Sequence, residues 1–130
     1  MNIRRVVLDT NIIVSALLTP EGNPAKIYTM FLSETISLVY SAKTIEEYQD
    51  VLYRPCFQFM LNKIETVLSA IRQYGKTVEP EPSIKIMIDE DDRIFYDVAK
   101  NIGAYLITGN TKHYPQESFI LSSTEFLRLF

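Results

Sequence analysis

One cysteine in 130 residues, Cys56, leaves no partner for an internal disulfide and no cysteine cluster for zinc, so the chain is expected in a reducing compartment. The lone thiol reads as core filler. No apolar run approaches the ~20 residues that a membrane helix needs, so no membrane partner is expected. Positive charge is not in excess either: 13 Lys and Arg stand against 16 Asp and Glu, for a net charge of -3 and a pI near 5.1. That balance argues against a protein that holds nucleic acid by bulk positive charge. Chemistry on nucleic acid stays open, because cations bound at acidic side chains invert the local field. Repeats, low-complexity tracts and linkers are also missing. With 47% hydrophobic residues, the expectation is one domain over residues 1–130. The start has the outline of a secretory signal, but Asp9 and Asn11 interrupt its apolar run and no small-residue cleavage site follows. A cytoplasmic chain is expected.

What is present is an alternation of strand and helix signals. Arg4 to Leu8 reads as a strand buried on both faces, because its apolar residues run without alternation. Helices are expected over Asn11 to Leu18 and from Pro24 to about Glu34. Ile36 to Tyr40 reads as a strand, followed by a helix that Ser41 caps and Arg54-Pro55 stops. A helix is expected over Phe57 to Tyr74, then extended chain with a short strand piece within Val78 to Ile88, where Pro80 and Pro82 preclude helix. Asp91 to Ile102 reads as a helix that Gly103 ends, and Tyr105 to Thr108 as a strand. A loop over Gly109 to Gln116, a strand at Phe119 to Leu121 and a helix over Ser123 to Leu129 complete the pattern, which is that of an α/β domain with a mainly parallel sheet.

In such a sheet, ligands collect at the carboxyl ends of the strands. Asp9 ends the first strand there, Asn110 follows the third, and the helices carrying Glu47 and Asp92 begin at the same edge. Convergence of Asp9, Glu47 and Asp92 would be costly without a cation to neutralise them. Oxygen donors, with His113 as the sole histidine, favour Mg²⁺ or Mn²⁺ over zinc. Each acid also has a structural reading. Asp9, Thr10 and Asn11 can cap a helix, Thr44 and Glu47 have capping-box spacing, and Asp89 to Asp92 complement a helix dipole.

These residues resemble a known family, the PIN domain ribonucleases, and in particular the bacterial toxins related to VapC. Val7-Leu8-Asp9-Thr10-Asn11 looks like the family's opening strand and first acid. Ser41 to Tyr48, with Val51-Leu52 and Arg54-Pro55, looks like the second block with Glu47 at the acidic position. Asp89 to Ala99 is similar to the third block, where the family's acid stands seven residues before a small one, which selects Asp92 with Ala99. Leu106 to Tyr114 looks like the fourth block, and Leu121 to Leu127 resembles the closing strand and helix. The resemblance implies a three-layer α/β/α fold around a central, mainly parallel sheet of four or five strands. It also implies a divalent-metal-dependent endoribonuclease, the toxin of a toxin–antitoxin pair, acting on RNA, paired with a small antitoxin and homodimeric. Asp9, Glu47 and Asp92 would then hold Mg²⁺ or Mn²⁺ and activate water for attack on phosphorus. Asn110 joins them as a catalytic residue, Asn11 and Thr108 position the site, and Lys112 or His113 stabilises the leaving oxygen in place of a second ion. Many relatives carry aspartate at or just after position 110, so an amide there implies a weak second metal position. The alternative is a catalytically weak PIN domain that binds RNA or a partner protein. Hydrolases of the phosphoaspartate type are disfavoured, because they need a second aspartate where Asn11 stands.

Overall fold

Strand β1 (Arg4–Leu8) is buried at Val6, Val7 and Leu8 without alternation, as a strand covered on both faces should be. A computed structural model describes residues 3–130, and in it β1 is the middle strand of five. After β1 come helices α1 (Thr10–Leu18) and α2 (Asn23–Leu32), then β2 (Ile36–Tyr40), α3 (Ala42–Leu52), α4 (Leu61–Tyr74) and β3 (Lys76–Thr77). Helix α5 (Arg93–Ile102), β4 (Tyr105–Ile107), β5 (Ile120–Leu121) and α6 (Ser123–Leu127) follow. The strand order is β3-β2-β1-β4-β5, and every pairing is parallel. Helices flank the sheet in a three-layer α/β arrangement, with α1, α2 and α6 packed together and α3 packed on α4 and α5.

This order reverses direction at β1. The chain moves outward from β1 to β2 and β3, then returns to place β4 on β1's other side. The crevice between β1 and β4, at their carboxyl ends, is the topological switch point where open α/β sheets bind ligands.

Local chemistry sets the element ends. Ser41 and Thr44 form a reciprocal capping box at α3, and Ser122 with Glu125 forms another at α6. Gly103 closes α5 with a left-handed φ of 70°, a conformation that costs a glycine little. The core runs along the sheet through Leu38, Leu106 and Ile107 to Ile27, Phe31, Leu68 and Phe126, all essentially inaccessible.

Four expectations need correction. Cys56 is exposed, because Pro55 opens a 3₁₀ turn (Pro55–Phe57) on the surface between α3 and α4. That turn also breaks the helix expected over Phe57 to Tyr74. Gln58 adopts a left-handed φ of 52°, Phe57 stacks on Phe59, and α4 starts only at Leu61. The strand piece expected within Val78 to Ile88 lies just before it, at Lys76–Thr77, where it adds to the free edge of β2. Helix α5 begins at Arg93, after a 3₁₀ turn over Glu90–Asp92, because Asp89 caps that turn by accepting the Asp91 N–H.

Candidate active site

Asp9 leaves β1 at the switch point and occupies the N-cap position of α1 with only 8% of its surface exposed. Its side chain does not cap the helix. Oδ2 instead accepts two hydrogen bonds, from the Thr108 hydroxyl and from the Tyr114 hydroxyl, each at 2.9 Å. Oδ1 accepts none from the described residues and is the carboxylate's free acceptor.

Thr108 follows β4 directly and is completely buried. Its position is set by register: Leu8 pairs with Ile107, and the Asp9 N–H donates to the Ile107 carbonyl at 3.0 Å. Thr108 Oγ1 also accepts the Asn110 N–H at 3.1 Å. A second clip lies beside the first, where Asn11 Oδ1 accepts the Gly109 N–H at 3.0 Å. Asn11 and Thr108 therefore join the turns after β1 and β4 into one rigid rim.

Tyr48 braces the rim from below. Fully buried on α3, it donates to the Leu8 carbonyl and stacks on Phe95 of α5. Thr44, Tyr48, Val51 and Leu52 form the buried face of α3, and Glu47 sits at the border of that face, half-buried and without a hydrogen bond or ion pair among the described residues.

Asp92 approaches Asp9 from α5. It stands at that helix's N-cap without making a side-chain cap. Its carboxyl is pushed up from 3.8 to about 6, first by burial, then by the charges of Asp9, Asp89 and Asp91, with His113 pulling it back. The Tyr114 hydroxyl is raised by burial and by the same two carboxylates, Asp9 and Asp92, and that of Tyr48 by burial and Asp9. Asp92 thus lies in the field of Asp9, and Tyr114 in the field of both. The run Asp89 to Asp92 divides by role: Asp89 caps the turn, Glu90 pairs with Arg93 at 2.7 Å, and the side chains of exposed Asp91 and half-buried Asp92 are left without a structural partner.

Glu47 is not gathered with this pair, since no three His, Cys, Asp or Glu side chains among the described residues form a ready cation cluster. Two carboxylates are nevertheless a donor set that suits Mg²⁺ or Mn²⁺. Such ions keep several waters and are commonly held by one or two carboxylates plus substrate phosphate oxygens. The like charge of Asp9 that raises Asp92 is relieved by a cation, and Asp9 offers it a free oxygen.

Asn110 is exposed, and its side chain bonds to no described residue. Lys112 and His113 are exposed on the 3₁₀ turn that follows (Thr111–His113). Two contributors, Tyr114 and Tyr48, and one buried acid elsewhere on α5, Asp97, escape a reading of the sequence. Tyr114 lies within a stretch that reads as plain loop, and its only signal is an aromatic hydroxyl after His113. Tyr48 reads as ordinary helix core. Asp97 is 7% exposed on the apolar face of α5, with Oδ1 unpartnered and Arg93 Nη1 4.0 Å away. An acid three residues after Ile94, inside the run Phe95 to Ala99, is its visible signal.

A family model described as PIN domain matches residues 5–112. An uncharacterized protein, MJ1680 of Methanocaldococcus jannaschii, is 32% identical over 109 residues, covering 82% of this chain and 70% of that protein. The crystal structure of PAE2754 from Pyrobaculum aerophilum superposes with a TM-score of 0.62 at 15% identity, over 98% of this chain and 88% of that one. VapBC2 from Rickettsia felis, bound to a DNA fragment from their promoter, superposes with a TM-score of 0.57 at 16% identity, over 91% and 96%. At those identities the two structures show a common fold.

Proposed function

The chain belongs to the PIN domain family, and on that premise we propose that it is a divalent-metal-dependent endoribonuclease, the toxin of a toxin–antitoxin pair. PIN domains are generally nucleases and generally use divalent metals. The observation that carries the reading is the pair formed by Asp9, with Oδ2 doubly held and Oδ1 free, and Asp92, raised to about 6 in its field.

Asp9 and Asp92 would hold Mg²⁺ or Mn²⁺, with Glu47 of α3 as the third carboxylate. The ion would supply Lewis acidity toward a phosphodiester oxygen. Thr108 and Tyr114 fix the orientation of Asp9 by occupying Oδ2, which leaves Oδ1 as its free acceptor. Asn11 immobilises Gly109, and through it the backbone that presents Asn110. Asn110 offers an amide oxygen at the rim, without charge. Exposed Lys112, or His113 beside it on the turn facing Asp92, would stabilise the leaving oxygen in a chain whose net charge is negative.

The fold shared with VapBC2 supports a small antitoxin partner. We expect it to place a basic side chain against Asp9 and Asp92 and so to exclude the cation. Among the described residues no helix is long and apolar enough to cross a membrane, and a cytoplasmic location fits the reading. A second reading, a catalytically weak PIN domain that binds RNA or protein, is favoured by one observation, the failure of Glu47 to gather with the acid pair. Cleavage of RNA by the purified chain with Mg²⁺ or Mn²⁺, compared between wild type, Asp9→Asn and Glu47→Gln, separates the two.

A further inference from the structure

Between β3 and α5 the chain passes through Ser83-Ile84-Lys85-Ile86-Met87-Ile88 without joining the sheet. Ile84 is 100% exposed, Ile86 88% and Ile88 68%, whereas Met87 between the last two is buried. A strip of three isoleucines facing water is unusual for a protein that works alone. Arg93 of α5 holds one edge of the segment, donating from Nη1 to the Ser83 carbonyl at 3.0 Å and from Nη2 to the Lys85 carbonyl at 2.6 Å. In extended chain, the main-chain groups of alternate residues point to opposite edges. With Ser83 and Lys85 turned toward Arg93, Ile84 and Ile86 turn away from it. The N–H and C=O groups of Ile84, Ile86 and Ile88 hydrogen-bond to no other described residue.

We infer that this free edge pairs with the same edge of a second copy of the chain, antiparallel about a two-fold axis at Ile86. In that register Ile86 faces Ile86, and Ile84 of each copy faces Ile88 of the other. The residues that carry the exposed isoleucines are also those whose main-chain groups are free, so one pairing satisfies both. Isoleucines from the two copies line one face of the ribbon, where β-branched cross-strand pairs are favourable. A slip by one residue would set Ile84 against Met87 and Ile86 against Lys85, so the register is specified. Self-complementarity of this kind is what a two-fold contact requires of a single surface. The acidic run that begins at Asp89 ends the sticky edge, as charge does on edge strands that must not extend further. The pairing does not depend on what the acidic crevice does.

Sedimentation velocity on the full chain tests it. The expected result is a dimer in wild type and a shift of at least about tenfold toward monomer in Ile86→Glu, which opposes two like charges at the axis. Ile86 is exposed, so circular dichroism and thermal unfolding of that variant should show an intact fold. Cysteine crosslinking in a Cys56→Ser background reads the register: Ile86→Cys should couple to itself. Ile84→Cys should not, since its two copies lie roughly 13 Å apart along the ribbon, but it should couple to Ile88→Cys. A monomer at all concentrations, a dimer indifferent to Ile86→Glu, or equal self-coupling at positions 84 and 86 overturns the inference. A wild-type monomer that engages this edge only through another protein's strand overturns it as well.

Discussion

Replacing Asp92 by asparagine removes a carboxylate that the metal-free fold holds against both burial and the charge of Asp9. Because its folded pKa, about 6, lies above the ordinary value of 3.8, the folded chain binds this proton more tightly than the unfolded chain does. The stabilisation from that proton is complete below the unfolded value and is lost as the pH rises through about 6. On a buried group a shift of this size is worth ~3 kcal/mol. Asp92 is only partly buried, and solvent screening reduces the figure to ~1 kcal/mol. The amide introduced by the substitution is neutral at every pH, so Asp92→Asn should stabilise the metal-free protein by ~1 kcal/mol near neutral pH, or about 3–5 °C in Tm for a chain of this length. Near the unfolded pKa the difference should vanish. With Mn²⁺ the order reverses: a hundredfold excess over Kd stabilises wild type by ~2.7 kcal/mol, and the variant should gain much less. Thermal unfolding at acidic and neutral pH, with Mn²⁺ and with a chelator, measures all four states. A variant less stable than wild type at neutral pH without metal, or an equal gain from Mn²⁺ in both, refutes the reasoning.

Other variants probe the supports of the site. Tyr114→Phe removes one of the two donors to Asp9 Oδ2 and should lower stability by ~1.5–3 kcal/mol, as expected for a buried hydrogen bond to a charged group, which chemical denaturation would show. Asn11→Ala frees the Gly109 N–H at the rim and should cut RNA cleavage several-fold while costing only ~1 kcal/mol of stability, a split visible in parallel activity and unfolding assays. Asn110→Asp adds a charge where the chain has an amide, so calorimetric titration should show tighter Mn²⁺ binding with activity kept or raised, whereas Asn110→Ala should lose activity. Unchanged Mn²⁺ affinity in the aspartate variant would mean that position 110 does not face the ion.

The sheet and its acidic edge were legible because their signals are local. A carboxylate interrupting the apolar run at Asp9 marks a strand's end, and the uninterrupted Val6-Val7-Leu8 marks a strand buried on both faces. Helices α3 and α5 announce themselves through Ser41 and Gly103. What escaped depends on tertiary contact. Tyr114 meets Asp9 across 105 positions, which no spacing rule can read. Lys76–Thr77 is a strand of two exposed residues, and it exists because β2 offers a free edge beside it. Cys56 was misplaced because thiols favour cores, whereas the turn at Pro55 carries this one to the surface. The seven-residue spacing from Asp92 to Ala99 picks out the half-buried one of the two acids, Asp91 and Asp92, whose side chains make no structural bond, but no such pattern shows how Glu47 would reach the pair.

The most direct measurement is cleavage of a structured RNA by purified wild type and Asp9→Asn protein, with Mn²⁺ and with a chelator in its place. Endonucleolytic products are expected from wild type with Mn²⁺, none with the chelator, and a loss of at least about a hundredfold in Asp9→Asn, whose fold should survive because Thr108 and Tyr114 can still donate to the amide oxygen. Cleavage that persists in Asp9→Asn or in the chelator would contradict this expectation, as would intact RNA under every condition.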